Sequence, residues 1–334
     1  MSLQLRPSRR SLLTLTGLGV GAALLGACGS EGGAADGKLS VVTSAYPLAY
    51  LVTRVGGEHV ALEDLSSPGV DAHGLELSIK QVMAMEKADL VVQIPGFQSA
   101  VDDAIASHRE GNVLDISTAI DLLPVGAESA DEEHADADHE GETEEEHADH
   151  ASDGGGSHDG HDHGPNDPHF WHDPLRMADL ADAIAAHLGE LSPETSQSFT
   201  DAAGVLRSEL EELDAELAES FGAVSGERPF ITSHAAYAYL AERYELHQIG
   251  ISGVDPETEP SPQRLLALEG VVAEEDVSTI FFESSASPKV AQTLAKNLGI
   301  ESAELDNLET QQSEDADYPR VMRDNCTALV ASWA

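Results

Sequence analysis

The feature that most constrains the fold is an alternation of strand and helix patterns that occurs twice along the chain. Short β-branched and apolar runs alternate with helical patterns over residues 39–116, and the alternation returns over residues 228–305. Parallel strands need crossover connections, so this alternation predicts a parallel sheet covered by helices. The sequence therefore predicts an α/β protein with two (βα)4-like lobes.

Each predicted lobe has four strands and the helices that connect them. The first lobe has strands at residues 39–43, 60–65, 90–94 and 113–116, with helices at 48–55, 78–87 and 101–107. The second lobe has strands at residues 230–232, 246–251, 277–282 and 302–305, with helices at 235–243, 262–272, 288–298 and 318–332.

Between these blocks the pattern is purely helical. A first helix has one apolar face, and a second has apolar residues at three- and four-residue steps over 199–221. Ser192, Pro193 and Glu194 predict the start of the second helix. Such a helix spans about 40 Å. It would be either half of a coiled coil or a rigid strut that joins the lobes, and α/β sequence on both sides favours the strut.

The first residues have the pattern of an export signal. A basic segment precedes a short apolar stretch that ends in small residues and Cys28. We expect residues 1–28 to be a lipoprotein signal peptide with lipid attached at Cys28, and residues 29–38 to be a flexible tether. An uncleaved anchor is the alternative, and a twin-arginine-like motif leaves the export route open. The remaining predicted segments are an N-terminal lobe at 39–174, a helical linker at 175–222 and a C-terminal lobe at 223–334.

The formal net charge of −44 limits the classes of partner. Such an acidic chain is unsuited to nucleic acid and anionic lipid, and it attracts cations. With Cys28 lipidated, Cys326 is the remaining thiol, so no intrachain disulfide is expected. We interpret Cys326 as a small buried apolar side chain.

An acidic, histidine-rich segment at residues 131–163 is inserted in the first lobe. It has 14 acidic residues, no Lys or Arg, and seven histidines: His134, His139, His147, His150, His158, His161 and His163. Imidazole and carboxylate groups bind borderline divalent cations. The segment therefore predicts a disordered loop with weak auxiliary zinc sites, with a solvated insertion of no binding role as the alternative.

Four residues are candidates for one fixed metal site. His73 and His234 follow predicted strands, Asp306 ends the last strand, and His169 lies in a stiff segment between two prolines. Ligands of open α/β sheets bind beyond the carboxyl ends of the strands. Three imidazoles and one carboxylate suit tetrahedral Zn²⁺, so the sequence predicts a metal site in the cleft between the lobes.

Several motifs give a specific resemblance. They are Asp-x-His-Gly-x-Glu around His73, Asp-Pro-His-Phe-Trp-His-Asp-Pro at 167–174, Ser-His-x-x-Tyr-x-Tyr-Leu at 233–240, Glu283 with Ser-Pro-Lys-Val-Ala at 287–291, and Leu305-Asp306. With these motifs the chain resembles the zinc-uptake solute-binding proteins of the metal-specific cluster family, which serve ABC transporters. The resemblance implies metal binding by the matching histidines and aspartate, a long helix between the lobes, and a charged His-rich loop. Manganese members have Glu at the position of His234, so this histidine favours zinc.

Other residues near the predicted site have less certain roles. Glu76 and Glu283 are candidates to accept a hydrogen bond from the free N–H of a ligating ring, although Glu76 could instead cap the following helix. His172, where the family has an aliphatic residue, would be an alternate ligand or a cover for apolar surface. Ala72 and Asn307 replace prolines of the family pattern.

The sequence as a whole predicts an extracytoplasmic zinc receptor and not an enzyme. We expect a monomer, held by its lipid at the outer face of the cell membrane, that delivers Zn²⁺ to an ABC permease and its ATPase. The alternatives are a manganese or iron receptor of the same family, a zinc hydrolase and a surface adhesin.

Overall fold

The computed structural model describes residues 37–108, 112–126, 165–256, 260–283, 288–313 and 316–334, which fall in one compact unit. Cys28 and the seven histidines of the 131–163 segment lie outside the described residues. Within the part of the chain that the structure describes, no helix is both long and apolar enough to cross a membrane.

The first lobe is a four-stranded parallel sheet in the order β2-β1-β3-β4. Its strands are β1 (Leu39–Thr43), β2 (Val60–Asp64), β3 (Leu90–Gln93) and β4 (Val113–Asp115). The connecting helices are α1 (Tyr46–Gly56), α2 (Ile79–Lys87) and α3 (Ser99–His108). The order changes direction between β1 and β3, which makes a crevice at the carboxyl ends of these strands.

Two long helices lie between the lobes in sequence, α4 (Pro174–Leu191) and α5 (Ser196–Gly222). At 27 residues, α5 is about 40 Å long. It contacts α4 and α1 on one side of the molecule. Its start is three residues later than the sequence predicts, because Ser192 closes α4 and Thr195 hydrogen-bonds back to Ser192 in the turn between the helices.

The second lobe repeats the topology, with the parallel order β6-β5-β7-β8. Its strands are β5 (Pro229–Thr232), β6 (His247–Gly250), β7 (Thr279–Glu283) and β8 (Glu301–Leu305). Its helices are α6 (Ala238–Tyr244), α7 (Pro262–Glu274), α8 (Lys289–Leu298) and α9 (Tyr318–Ser332). The predicted α/β class with two four-stranded lobes is confirmed.

One apolar core runs through both lobes along α5. Its buried face contacts α1 of the first lobe and α6 and α9 of the second, so α5 joins the lobes within one chain. The opposite face of each sheet has a smaller core of its own. The core under α2 and α3 includes Val42, Met85 and Val101, and the core under α7 and α8 includes Leu268 and Leu294. Helices α2, α3, α7 and α8 therefore cover the sheet faces that lie away from α5.

Candidate metal centre

Three loops beyond the strand ends start with the same local turn. The Asp71 carboxylate accepts a hydrogen bond from the backbone N–H of His73 at 2.8 Å, and that of Asp167 accepts from the N–H of His169 at 2.9 Å. Asp306 accepts from the N–H of Leu308 at 2.9 Å. This turn, in which an aspartate binds the backbone two residues later, fixes a loop without help from distant residues.

These loops bring three histidines and one glutamate into a single group. Within the described chain, His73, His169, His234 and Glu309 are the residues whose metal-binding atoms all lie within 4.8 Å of one another. The Oε1 atom of Glu309 is 3.2 Å from Nε2 of His73, 3.7 Å from Nε2 of His169 and 3.5 Å from Nε2 of His234. The Nε2 atoms of His73 and His169 are 3.3 Å apart.

The spacing of these atoms tests whether they fit a metal ion. A tetrahedral zinc site with bonds of about 2.0–2.1 Å places its donor atoms about 3.3 Å from one another. Four of the six distances between donor atoms, 3.2, 3.3, 3.5 and 3.7 Å, bracket that value, and all six are at most 4.8 Å. Each of the four residues is at most 1% exposed. The group thus has the donor spacing, the donor types and the burial that suit a tetrahedral zinc site.

The carboxylate of the group is Glu309, and this corrects the sequence prediction of Asp306. The Asp306 side chain binds the backbone of its own turn, and its backbone N–H and C=O are both held by the Asn325 side chain. Asp306 therefore has the loop-shaping role of Asp71 and Asp167. The turn continues through Leu308, whose φ is +60°, and places Glu309 among the histidines. Sequence analysis missed Glu309 because it lies four residues beyond the end of β8.

Opposite charges compensate one another inside the buried group. Burial raises the pKa of Glu309, but His73 and His234 outweigh burial and hold that pKa well below its usual value. Burial lowers the pKa of His234, but Glu283 and Glu309 reverse the effect and raise it to about 10. Burial lowers the pKa of His169 despite the adjacent Asp167. The two carboxylates therefore favour a protonated His234 between them.

Two acidic residues orient the rings from outside the group. The Asp167 carboxylate is 2.7 Å from Nδ1 of His169, and Oε1 of Glu283 is 3.2 Å from Nδ1 of His234. A carboxylate at Nδ1 leaves Nε2 free to bind a metal. Glu283 was predicted for this position. Asp167 was not, although its spacing from His169 repeats that of Asp71 from His73.

Two other candidates lie outside the group. Glu76 is exposed, and the cap of α2 is formed by Ser78 with Gln81. An exposed carboxylate in this loop orients neither a buried ring nor the helix start, which corrects both interpretations of Glu76. His172 is fully buried, and its ring stacks against Tyr237 with centroids 4.4 Å apart.

Trp171 connects the loop of His169 to the loop of Glu309. Its indole Nε1–H donates to the carbonyl of Asn307 at 2.8 Å, and its ring contacts those of His169 and Phe97. The Tyr318 hydroxyl donates to the carbonyl of Trp171 at 2.7 Å. The buried indole therefore fixes ligand-bearing segments of both lobes against each other.

A buried hydroxyl joins the two described segments that precede and follow residues 127–164. The Tyr239 hydroxyl, from α6, donates to the carbonyl of Asp167 at 2.6 Å and accepts from the N–H of Leu123 at 2.8 Å. Leu123 and Asp167 are also joined directly, because the N–H of Asp167 donates to the carbonyl of Leu123 at 2.8 Å. The second lobe thus holds Leu123 next to Asp167, two residues from His169.

We expect Tyr239→Phe to lower the free energy of unfolding by about 1–3 kcal/mol, because it leaves a buried C=O and a half-buried N–H each short of a partner. Urea unfolding monitored by fluorescence measures this. Tyr237→Phe is the matched control, since among the described residues the buried Tyr237 hydroxyl has no hydrogen-bond partner. That substitution should be neutral or slightly stabilising. Equal effects of the two substitutions would contradict a clamping role for Tyr239.

Comparison with known proteins identifies the family. Residues 41–332 match the family model described as zinc-uptake complex component A, periplasmic (ZnuA). The chain is 33% identical over 300 residues to the zinc-binding protein AdcA of Streptococcus pyogenes serotype M3, covering 88% of this chain and 56% of that protein. It is 31% identical over 318 residues to the high-affinity zinc uptake system protein ZnuA of Bacillus subtilis, covering 92% of each.

A solved structure agrees with these matches. The Zn(II)-bound form of a mutant variant of AdcAII from Streptococcus pneumoniae has a TM-score of 0.71 and 27% identity, covering 89% of this chain and 99% of that one. The chain spans about half the length of the AdcA relatives, whereas the family model extends over both lobes. The chain therefore belongs to the family of the periplasmic component A of zinc-uptake complexes.

Proposed function

We propose that this protein is an extracytoplasmic receptor that binds Zn²⁺ and delivers it to an ABC permease for uptake. The observation that carries the proposal is the buried group of three Nε2 atoms and one carboxylate oxygen at the spacing of a tetrahedral site. Membership in a zinc-uptake family supports it. The ion is cargo that must be released again, and the permease with its ATPase would supply the energy for transport.

The donor set distinguishes this function from its rivals. Three imidazoles favour zinc over manganese, which prefers oxygen ligands in an octahedral arrangement. A zinc hydrolase needs an open coordination position for water, whereas four protein donors fill a tetrahedron. The family, too, is one of uptake components and not of enzymes. An adhesin role would use the outer surface and does not compete for the buried group.

Metal analysis of protein purified without added metal tests the proposal. We expect one zinc ion per chain, with anomalous scattering at the zinc edge from the position between His73, His169, His234 and Glu309. Titration of the metal-free chain should give tighter binding for zinc than for manganese. Absence of a tight zinc site, or preference for manganese, would overturn the proposal.

Zinc binding should release about one proton per ion near neutral pH, because His234, with a pKa of about 10, must give up its Nε2 proton to bind. The pKa is raised in the metal-free protein, so the proton competes with zinc at every pH below that value. Apparent affinity should therefore rise about tenfold per pH unit up to roughly pH 10 and then level off.

Calorimetry in buffers of different ionisation enthalpy counts these protons. Glu283→Gln removes one of the two carboxylates that raise the His234 pKa, so this variant should release fewer protons. An enthalpy that is the same in every buffer would contradict a protonated His234.

We also propose that Cys28 carries a lipid that holds the protein at the outer face of the cell membrane. The basic, apolar and small-residue pattern before Cys28 supports this. Mass spectrometry of the mature chain tests it, and an unmodified Cys28 would refute it. Light scattering would test the expected monomer.

For the segment at residues 131–163, we propose weak zinc capture that supplies the buried site. The segment lies in sequence between Leu123 and Asp167, which meet beside His169, and this supports delivery to that site. A chain without this segment should lose the weak zinc sites in calorimetry and keep the tight one. Full stoichiometry in the shortened chain would refute capture by the segment.

A further inference from the structure

The turn that leads to Glu309 is held at its start by one side chain of α9. The amide oxygen of Asn325 accepts a hydrogen bond from the backbone N–H of Asp306 at 3.0 Å, and its Nδ2–H donates to the backbone carbonyl of Asp306 at 2.7 Å. The pairing of β8 with β7 ends one residue earlier, where Leu305 lies opposite Glu283. Beyond that pair, the Asn325 amide takes the place of a neighbouring strand for Asp306.

Asn325 lies on the apolar face of α9 and is only 6% exposed. The other buried side chains of this helix are apolar, aromatic or a thiol: Tyr318, Val321, Met322, Cys326 and Leu329. An apolar residue would suit this face of an amphipathic helix better, because burying an amide costs free energy unless the amide is hydrogen-bonded. The two bonds that offset this cost both go to the backbone of Asp306. Holding that backbone is therefore the role that the position of the amide indicates.

The rest of the turn is held by the first lobe. The Asn307 carbonyl accepts the hydrogen bond of the Trp171 indole at 2.8 Å. The backbone carbonyl of Glu309 accepts from the N–H of Tyr46, the first residue of α1, at 3.0 Å. This N–H is one that a helix cannot satisfy within its own first turn. These two contacts fix the turn relative to the lobe that carries two of the three histidines of the metal group.

Asn325 relates the turn to the remaining histidine, His234. Glu283, the last residue of β7, accepts from the backbone N–H of His234 at 3.2 Å and lies 3.2 Å from Nδ1 of its ring. The neighbouring strand β8 leads directly into Asp306. By binding both backbone groups of Asp306, Asn325 fixes the direction in which the chain leaves β8. It thereby fixes where Glu309 stands relative to His234.

We propose that Asn325 is a positioning residue that acts through Glu309 and increases the selectivity of the site for zinc over manganese; the inference rests on the proposed zinc-receptor function. Oε1 of Glu309 is 3.2, 3.5 and 3.7 Å from the three Nε2 atoms, so this single oxygen completes a tetrahedron. A turn that could shift would let both carboxylate oxygens bind the ion and raise its coordination number, which suits manganese. The Asn325 amide holds the carboxylate in the arrangement that zinc prefers.

Asn325→Leu tests this proposal, because leucine has the same branched shape, suits the apolar face of α9 and removes both hydrogen bonds to Asp306. We expect its zinc affinity to be roughly tenfold lower, the usual effect of losing a residue that orients a metal ligand. Manganese affinity should stay the same or rise, so the ratio of the two affinities should fall at least roughly tenfold. Competition of the metal-free protein against a chelating dye measures the affinity for each metal.

Leu329→Ala is the matched control for a general loss of stability. Leu329 lies one turn further along α9 and is 0% exposed, so its truncation leaves a cavity without removing a bond to Asp306. We expect this variant to bind both metals as the wild type does. Asn325→Ser is a second variant in case leucine prevents folding. A serine hydroxyl within a helix binds the carbonyl four residues earlier, so it too gives up the paired bonds to Asp306.

Cobalt reports the geometry of the site without a measurement of affinity. Co²⁺ absorbs visible light more strongly in a tetrahedral site than in a site with five or six ligands. We expect cobalt-loaded Asn325→Leu and Asn325→Ser to absorb more weakly than the wild type, because a freed Glu309 raises the coordination number. Cobalt-loaded Leu329→Ala should have the wild-type spectrum.

A fall in the ratio of zinc to manganese affinity, confined to the Asn325 variants and accompanied by weaker cobalt absorption, supports the positioning role. An equal loss of affinity for both metals would overturn it, as would the same change in Leu329→Ala, because Asn325 would then serve only the fold. Wild-type selectivity in Asn325→Leu and Asn325→Ser would also overturn it. If the wild-type chain itself bound no zinc, the receptor function would have failed instead.

Discussion

Replacing Glu309 with glutamine is expected to weaken zinc binding by more than about 100-fold, beyond what loss of a residue that only orients a ligand costs. The amide has the size of the carboxylate but no charge, so it binds the ion poorly. It also removes a counter-ion from three buried histidines, all within 3.7 Å of Oε1. Competition for zinc against a chelating dye measures the change.

Asp306→Asn is the matched control for this prediction. It makes the same chemical change three residues earlier in the same loop, and the asparagine oxygen can still accept the hydrogen bond from the N–H of Leu308. We expect its zinc affinity to stay within about fivefold of the wild type, since that bond is worth roughly 1 kcal/mol. The reverse result, with Asp306→Asn damaging and Glu309→Gln harmless, would restore Asp306 as the ligand.

Replacing Trp171 with alanine is expected to lower the free energy of unfolding by about 3–5 kcal/mol, the usual cost of deleting a fully buried Trp side chain. Trp171 is 0% exposed, and its loss also leaves the Asn307 carbonyl without the indole donor. Because the ring contacts His169 and holds the Glu309 loop, zinc affinity should fall as well. Urea unfolding, followed by zinc titration of the folded variant, separates the two effects.

Trp333→Ala provides the comparison for Trp171. Trp333 is half-buried near the end of the chain, and its Nε1–H donates to the carbonyl of Pro229 at 2.6 Å. We expect a loss of roughly 1–2 kcal/mol from this hydrogen bond and partial burial, with zinc affinity unchanged. If Trp171→Ala cost no more than Trp333→Ala, or left zinc affinity intact, the indole would not have the connecting role that its contacts indicate.

Most of the secondary structure follows from local sequence patterns. Strand β1 and helix α9 have the bounds that the patterns predict, because turn and capping residues delimit both. Helix α1 begins two residues before the predicted start, since Pro47 occupies its first turn. Helix α6 begins three residues later than predicted, because the chain after β5 first turns to place His234 in the cleft. Of these shifts, only that of α6 is connected with the metal group.

The metal group itself was predicted in part. The three histidines follow from their positions after strands and in a proline-flanked segment. Asp306 has the expected position at the end of a strand but belongs to the turn, as do Asp71 and Asp167 at their loops. A carboxylate that binds its own backbone and one that faces a cleft look the same in sequence. Only the path of the chain after β8 distinguishes them.

The sequence by itself determined the class of fold, the chemistry of the donors and the three imidazoles, because periodicity and residue type act over a few neighbouring residues. Tertiary structure decided which carboxylate completes the group and which acids orient the rings. These outcomes depend on distances between loops that are up to 236 residues apart, as His73 and Glu309 are. Such distances are set by how helices α1, α6 and α9 of the two lobes pack against α5, and no local pattern encodes them.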